Sequence, residues 1–409
     1  MKKIYYFILL FFTLIGLWVF PSLVKKATYT PDDYPFVYYS SLMEEFAFFD
    51  YANKETPMYD LKGNHYTNEQ SDSLLPLLNF RQLMSDGKLP DSLAGYELTP
   101  QLIRSKSVVF RYNPRSLQTP TIDLHFLFES MPKRVGLVVP TDVFRLTDKI
   151  EFIDDETNEI NREKSDIFQK ELEKRGFTFP AQWAAGNPNP RKAYDEGYFC
   201  LDANGQLFHV KMVNNRPFIR NTKVSDSVNI EYFSMIEVSD KRFYGFLFDK
   251  EGYIYILESQ EGKYHPLKLD MDPINLDQDQ VILMGNLLYW TLSVTTEEGR
   301  AFYALKTANL QQVAKHFIPR SENKWDKASA YLFPYYLTFE SPYSDYISPE
   351  FQFTGWVGFI PNLLLAIAAG IISRRNNQKT LFNTIFTAIT GIAGFIALLL
   401  LPNFLKNNN

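Results

Sequence analysis

One short pattern recurs three times in the middle of the chain at a fixed interval of 47 residues, and this repeat limits the possible folds more than any other feature. Each copy has Asp or Thr, a glycine three positions later and an aromatic residue three positions after the glycine. The copies are Asp202, Gly205 and Phe208; Asp249, Gly252 and Tyr255; and Thr296, Gly299 and Phe302. Strand-like sequence flanks each glycine. A period of this length is typical of repeat architectures such as β-propellers, in which each unit buries its apolar face on a neighbour.

The side chains of the repeated pattern can be given structural roles. Aspartate before a turn glycine commonly accepts hydrogen bonds from the turn backbone, and Thr296 can do the same, so we prefer this interpretation to a ligand site. Glycine permits the positive φ that many tight turns require. In the first two copies an aliphatic residue precedes the aromatic one, and alternation places such neighbours on opposite faces of a strand. The pattern therefore predicts architecture and not chemistry.

The repeat predicts a mainly β chain with a β-propeller-like domain at residues 101–318. At about 47 residues per blade, this span holds four or five blades. Aromatic residues make up 16% of the chain, and this composition also favours strands. Asn158 lies one period before the first copy and can adopt the backbone conformation of a turn glycine, which gives a weak fourth match. Residues 160–195 are predicted to form a helical insertion between blades, with Ser165 as N-cap and Gly176 at the C-terminal end.

Three apolar stretches are long enough to span a bilayer, namely residues 4–24, 353–373 and 380–402. Each has about 20 residues, the length that a hydrocarbon core of about 30 Å requires. The first could be a cleaved signal peptide, but its apolar run is longer than the usual hydrophobic region of one, so we interpret it as an uncleaved anchor. None carries an ionisable residue inside its apolar core. This argues against a transport path through the chain itself.

Basic residues predict the orientation of these spans. The loop between the second and third spans carries Arg374, Arg375 and Lys379, whereas the tail carries only Lys406. The positive-inside rule therefore places this loop in the cytoplasm and the long region after the first span on the opposite side. The expected organisation, in chain order, is an anchor (1–26), an N-terminal segment (27–100), the propeller-like domain (101–318), an aromatic-rich juxtamembrane segment (319–352), a second span (353–373), a cytoplasmic loop (374–379), a third span (380–402) and a tail (403–409).

No residue pattern predicts a catalytic or cofactor site. The five histidines lack close metal-ligand spacing, and Cys200, the single cysteine, is interpreted as a buried structural thiol. No nucleotide-binding loop, nucleophile elbow or zinc-binding helix motif is present. Residues 270–279 concentrate oxygen ligands but lack the glycine and terminal glutamate of an EF-hand, so a solvated loop is the simpler interpretation and a metal stays open. The net charge of -5 argues against nucleic-acid binding.

Small residues recur at helix-packing spacing in the last two apolar stretches. Ala366 and Gly370 stand four apart in the second span, as do Ala393 and Ala397 in the third. Faces of this kind let helices approach closely in lipid. They predict either simple packing of the two spans as a hairpin or docking onto another membrane protein.

Residues 66–92 carry a resemblance to a known family. The runs YTNEQSDSLLP at 66–76, RQL at 81–83 and DGKLPDS at 86–92 resemble a family of uncharacterised Gram-negative inner-membrane proteins, known only as a domain of unknown function. Its members are often encoded beside ABC-transporter subunits. The resemblance implies an accessory subunit of a transport or export complex, with its large domain in the periplasm, and supplies no catalytic residues.

These observations together predict a non-enzymatic, membrane-anchored periplasmic binding or scaffolding subunit without a cofactor, whose partners are the bilayer and ABC-transporter subunits. The alternative is an envelope hydrolase or lyase acting on glycan or peptide in a propeller channel. An enzyme should show a cluster of Asp, Glu, His or Arg in a deep pocket, whereas a scaffold should expose an apolar or aromatic patch. A signal-transducing sensor is disfavoured because the predicted cytoplasmic segments leave no room for an output domain.

Overall fold

A computed structural model describes residues 2–118, 122–134, 136–341 and 343–401 of the chain. It has two compact units. The strand unit runs from Tyr34 to Pro319, and the helix unit combines the described residues that precede Tyr34 with those that follow Pro319. The strand unit therefore contains residues of both the predicted N-terminal segment and the predicted propeller-like domain. The predicted tail at 403–409 lies outside the described residues.

In chain order, the helices of the described residues are α1 Lys2–Thr28, α2 Asn68–Leu74, α3 Phe80–Ser85, α4 Pro100–Lys106, α5 Arg115–Gln118, α6 Arg162–Lys174, a 3-10 turn Val224–Asp226, α7 Lys324–Leu332, α8 Phe359–Arg375 and α9 Thr380–Leu400. The three longest of them, α1, α8 and α9, lie in the helix unit, and the α-helices of the strand unit have 13 residues or fewer.

The strand unit consists of several small antiparallel sheets. The first sheet has β1 Phe36–Ser40, β2 Glu45–Phe49, β3 Met58–Tyr59 and β4 His65–Tyr66 in chain order; β5 Ser92–Leu93 pairs with β6 Tyr96–Glu97; and β8 Asp142–Leu146 pairs with β9 Ile150–Asp154. Two further sheets are meanders of β10 Trp183–Gly186, β11 Tyr198–Leu201, β12 Leu207–Val213 and β13 Arg216–Asn221, and of β14 Ile230–Met235, β15 Phe243–Asp249, β16 Ile254–Gln260 and β17 Lys263–Lys268. The last sheet has β18 Gln280–Gly285, β19 Tyr289–Thr295, β20 Gly299–Lys306 and β21 Gln312–Pro319, with β7 Val108–Tyr112 beside β18.

The 47-residue period corresponds to one four-stranded meander. In each of the last three sheets, the repeat turn joins the second strand of the meander to the third, as β11 to β12, β15 to β16 and β19 to β20. The prediction of a mainly β chain is confirmed at this level. The described strands form open sheets and close no barrel, and hydrogen-bonded pairing alone does not define a propeller.

Apolar clusters lie between sheets that follow one another. The β8–β9 hairpin and α6 share one cluster with β10–β13, and β10–β13 share the next with β14–β17. The third cluster joins β14–β17 to β18–β20 and β7, and the fourth joins β19–β21 to the first sheet. Phe208 lies in the first of these clusters and its neighbour Leu207 in the second, because alternation sends adjacent residues to opposite faces. Each central sheet is therefore buried on both faces.

The region before the repeats departs from the sequence-based expectation. The apolar residues at 122–128 and 134–139 predict two strands, but the described residues of these runs form no strand beyond an isolated bridge between His125 and Phe144. The predicted helix begins at Arg162 with Asn161 as its N-cap, so the prediction of Ser165 as N-cap is wrong. The hydroxyl of Ser165 instead accepts a 2.9 Å hydrogen bond from the backbone N–H of Phe152, which ties α6 to β9.

The helix unit contains α1, α7, α8, α9 and a two-stranded sheet of β22 Tyr335–Thr338 and β23 Glu350–Phe353. Two of its helices, Lys3–Thr28 and Thr380–Leu400, are long and apolar enough to cross a membrane, although signal sequences and buried core helices share these properties. Helix α8 begins at Phe359 and has 17 residues, whereas the predicted span began at 353; Phe353 ends β23, and residues 354–358 connect the strand to the helix.

Candidate functional site

The acidic and threonine residues of the repeat are engaged in their own turns. Oδ1 of Asp202 accepts hydrogen bonds from the backbone N–H groups of Asn204 at 2.9 Å and Gln206 at 2.8 Å. Oδ1 of Asp249 accepts one from Tyr253 at 2.8 Å, and the hydroxyl of Thr296 accepts one from the backbone of Glu298 at 3.2 Å. These contacts hold the turns that the glycines Gly205, Gly252 and Gly299 make possible.

The aromatic residues of the repeat face the core. Phe208 and Phe302 are fully buried, and Tyr255 is half-buried with its hydroxyl bonded to Asp249. Leu207, Ile254 and Ala301, which precede them, are buried as well. The structure thus places all nine repeat positions in turns or between sheets, and none of them lines the two cavities of the strand unit described below.

A further copy of the pattern was missed in the sequence. Asp60, Gly63 and Tyr66 have the same spacing, in the turn between β3 and β4, and Oδ1 of Asp60 accepts the backbone N–H groups of Lys62 and Asn64 at 2.8 and 2.9 Å. Burial alone would raise the pKa of Asp60, but these bonds and those from the Asn64 and Tyr66 side chains lower it to about 2. Counting back three periods of 47 residues from Gly205 ends at Asn64, one residue after Gly63. The regular spacing therefore did not reveal this copy.

The small-residue faces of the last two spans are covered within the helix unit. Ala366, Ala393 and Ala397 are buried, and a Cβ added at Gly370 would meet the Thr384 hydroxyl at 2.8 Å. A Cβ added at Gly16 of α1 would meet the Cβ of Ala393 at 2.9 Å. Helices α1, α8 and α9 therefore pack on one another through these residues, as the predicted hairpin packing requires for α8 and α9.

Helix α9 is interrupted where it packs on α8. Gly391 has φ 59° and ψ -141°, and its Cα lies against the side-chain amide of Asn362, which is itself buried. The Tyr335 hydroxyl donates a hydrogen bond to the carbonyl of Ile389, two residues before the break. No charged residue takes part in these contacts.

An open groove of about 470 Å³ in the strand unit is the stronger candidate for a site. One wall is the end of the β1–β2 hairpin and the loop that follows, and the other is α2 with the turn before α3. Its aromatic surface is a group of three rings, Phe36, Phe49 and Tyr51. The rings of Phe49 and Tyr51 are stacked, with centroids 5.9 Å apart and planes at 20°. The side chain of Tyr51 is 70% exposed, so an aromatic face is presented to solvent.

Four of the polar side chains around these rings are not used by the fold. Among the described residues, the side chains of Lys54, Asn68, Asp72 and Asn79 make no hydrogen bond, although all four line the groove. Asn68 and Asp72 lie one turn apart on one face of α2, whose start is fixed by the capping box of Thr67. The groove thus combines an aromatic floor with a rim of free donors and acceptors.

Asp72 is the single carboxyl group that lines the groove among the described residues. Burial raises its pKa above the usual value, and the charges of Asp86 and Glu69 act in the same direction. Hydrolysis of a glycosidic bond generally requires two carboxyl groups that flank the bond. The lining of the groove supplies one such group among the described residues, Asp72.

A second cavity, of about 270 Å³, is lined by aromatic and charged residues between the last two meanders. Its cations already have partners: Lys106 contacts Asp240 at 3.0 Å, and Nε of Arg242 donates to Glu258 at 2.7 Å. Trp290 forms part of its wall. The ion pairs indicate a structural role for these charges.

Within the described part of the chain, the most buried ion cluster lies where the loops after β10 and β14 meet. The ammonium group of Lys192 lies 2.6 Å from Asp195 and 3.0 Å from Glu237, and these three side chains are almost fully buried. Burial raises the pKa of Glu237, opposed by bonds from the Glu196 backbone and Lys192. Every member is paired, so we interpret the cluster as a clamp between two sheets. Sequence spacing gave no sign of it, because Lys192 and Glu237 are 45 residues apart.

No group of three or more metal-ligating side chains is present in the described residues. In the 270–279 stretch, Oδ2 of Asp270 accepts the backbone N–H of Gln312, and Asp272 pairs with Lys315 and Tyr303. Cys200 is fully buried, as expected, and burial raises the pKa of its thiol.

Comparison with known proteins gives a family match over most of the strand unit and weak similarity to solved structures. The family profile described as "Domain of unknown function (DUF4857)" matches residues 36–305. No curated protein matches the chain. Among solved structures, PorZ, a surface component of the type-IX secretion system of Porphyromonas gingivalis, is 11% identical with a TM-score of 0.22, over 71% of this chain and 28% of that one. The dihydro-heme d1 dehydrogenase NirN is 10% identical with a TM-score of 0.23, over 58% and 57% of the two chains.

Proposed function

The chain belongs to the DUF4857 family, and on that premise we propose that it is a non-enzymatic, membrane-anchored binding or scaffolding subunit of the bacterial inner membrane. In this proposal the strand unit lies in the periplasm and serves as an accessory to an ABC-type transport or export complex.

Tethering is the proposed mechanism. Helices α1 and α9 have the length and composition of membrane spans, and they lie before and after the strand unit in the chain. A domain attached at both ends is confined near the bilayer, which raises its effective concentration at a membrane partner. This arrangement suits a module that passes cargo to a transporter or responds to its state.

We further propose that the small sheets are blades of a propeller. Three meanders share the position of their repeat turn, and apolar clusters join five sheets in succession, from the β8–β9 hairpin to the β1–β4 sheet. Sheets that stack face to face in sequence are the arrangement that a propeller requires.

The observation that carries the binding role is the groove, where the exposed ring of Tyr51 stands beside unbonded polar side chains and a single carboxyl group, Asp72. The alternative is an envelope hydrolase or lyase. The cavity beside Trp290 favours this alternative, because the charged residues Lys106, Asp240 and Arg242 line it. All three side chains are, however, already engaged in ion pairs.

Affinity purification of the tagged full-length chain from membranes in mild detergent tests the proposed partner. ABC permease and ATPase subunits should co-purify at near-stoichiometric levels, as measured by mass spectrometry. Recovery of the chain without any transporter subunit would refute the accessory role.

A further inference from the structure

We propose that the groove between the β1–β2 hairpin and α2 binds a neutral oligosaccharide, with the sugar ring stacked on Tyr51. This inference rests on the proposed binding role and names its ligand class. Its volume, about 470 Å³, lies within the range of about 300–1,000 Å³ that is usual for ligand pockets.

The aromatic floor is suited to a sugar ring. One face of a pyranose carries only C–H groups, which pack favourably on the electron-rich face of an aromatic ring. The Tyr51 ring is held by stacking on Phe49, and Phe36 lies beside both, with centroid distances of 5.3 and 6.5 Å. Because the ring is pre-positioned and 70% exposed, a ligand can stack on it without displacing protein side chains.

The rim supplies the hydrogen bonds that sugar hydroxyls need. The amides of Asn68 and Asn79 each offer donors and an acceptor, and the carboxylate of Asp72 offers acceptors only. A hydroxyl group both donates and accepts, so a polyhydroxylated ligand can satisfy all three side chains. Asn53 also lines the groove, but its amide is already bonded to Thr56 and to the loop backbone.

The charge and donor balance of the rim distinguish a sugar from other occupants. Lys54 and Asp72 contribute one charge of each sign, so the rim favours a ligand without net charge. A proline-rich peptide would also fit an aromatic groove, but its backbone lacks most N–H donors and would leave the Asp72 carboxylate without a partner. The groove chemistry therefore favours a neutral glycan over a proline-rich peptide.

The test is calorimetric titration of the full-length chain in lipid nanodiscs with cellotriose, maltotriose and triacetylchitotriose, and separately with a decaproline peptide. At least one sugar should bind saturably. Tyr51→Ala should weaken that binding by about tenfold, because the stacked face is lost, whereas Tyr51→Phe should weaken it by less than about threefold. Asp72→Asn should weaken it by about fivefold with the fold unchanged.

Tyr331→Ala is the matched control, because Tyr331 is also an exposed tyrosine but lies on α7 outside the groove. It should bind as the unaltered chain does. Failure of all three sugars to bind, tighter binding of decaproline, or unchanged sugar binding by Tyr51→Ala would overturn the inference. If no sugar binds to the unaltered chain but transporter subunits still co-purify with it, this inference alone is refuted. If a sugar binds but no transporter subunit co-purifies, only the proposed partner is refuted.

Discussion

The hydroxyl of Tyr255 donates a 2.9 Å hydrogen bond to Oδ2 of Asp249, six residues earlier across the repeat turn. Tyr66 and Asp60 make the same contact at the same distance in the first sheet. In both turns the other carboxylate oxygen accepts a backbone N–H, so the aspartate links the turn backbone to the following strand. The six-residue spacing therefore encodes a hairpin, independently of any ligand.

Two turn glycines should differ sharply in their tolerance of a side chain. Both have positive φ, but a Cβ at Gly252 would lie 2.0 Å from the carbonyl oxygen of Ile274, whereas one at Gly205 would meet nothing within 4 Å. Gly205→Ala should cost about 1–2 kcal/mol of unfolding free energy from backbone strain alone. Gly252→Ala should cost more than about 3 kcal/mol. Denaturant unfolding of both variants measures this, and equal losses would contradict the described packing.

His209 should make the strand unit sensitive to acid. It is fully buried between Tyr264 and the Glu196 carbonyl, and burial lowers its pKa from 6.5 to about 3, with Lys211 and Arg220 acting in the same direction and the bond to Glu196 opposing. The unfolded chain then binds the proton more readily, so stability falls as pH drops from about 6.5 towards 3, by at most about 1.4 kcal/mol per pH unit.

This pH dependence is measured by thermal unfolding of the chain between pH 7 and pH 5. His209→Gln should reduce the difference between the two melting temperatures. His265→Gln is the matched control, because His265 lies on the exposed face of β17, and it should leave the difference unchanged. A His209→Gln chain with the full acid sensitivity would show that His209 is not buried in its neutral form.

The break in α9 should depend on the absence of a side chain at Gly391. A Cβ there would lie 2.2 Å from Oδ1 of Asn362, so Gly391→Ala should lower the melting temperature in detergent and loosen α8 from α9. Gly355→Ala provides the control, since Gly355 also has positive φ but no atom within 4 Å of an added Cβ. Equal shifts for the two variants would argue against close contact at Gly391.

Cysteine labelling should report both burial and orientation. Cys200 is fully buried and its pKa is raised by burial, so a maleimide should modify it only after denaturation.

In a Cys200→Ser chain, a cysteine introduced at the exposed Ser73 should react with a membrane-impermeant maleimide in intact spheroplasts if the strand unit is periplasmic. A cysteine introduced at Asn376 should react only after lysis. The reverse pattern would invert the proposed topology.

The sequence predicted those parts of the fold that depend on local chemistry. The 47-residue spacing located three equivalent turns, and Gly176, with φ +85°, directly follows the cap residue of α6. Asn158 has φ +60° in the turn after β9, as its chemistry allows. Turns and caps follow from a few adjacent residues, so they can be read without tertiary information.

The groove could not be predicted because its residues have no sequence signature. Tyr51 and Asp72 are 21 residues apart and meet only because the β1–β2 hairpin packs beside α2. The two strands predicted at 122–128 and 134–139 are an error of the opposite kind, because the described residues there form no strand. Apolar alternation alone does not provide a pairing partner. The N-cap error at Ser165 has a tertiary cause, because its hydroxyl is used to bond Phe152 in β9.

The central claim is that this chain binds its ligand without transforming it. The most direct test is proton NMR of the sugar that binds best, recorded before and after prolonged incubation with the full-length chain in nanodiscs. Line broadening that reports binding, with no new covalent species, is the predicted result. New reducing-end signals or unsaturated sugar signals, absent with the Tyr51→Ala chain, would contradict the claim and identify a hydrolase or a lyase.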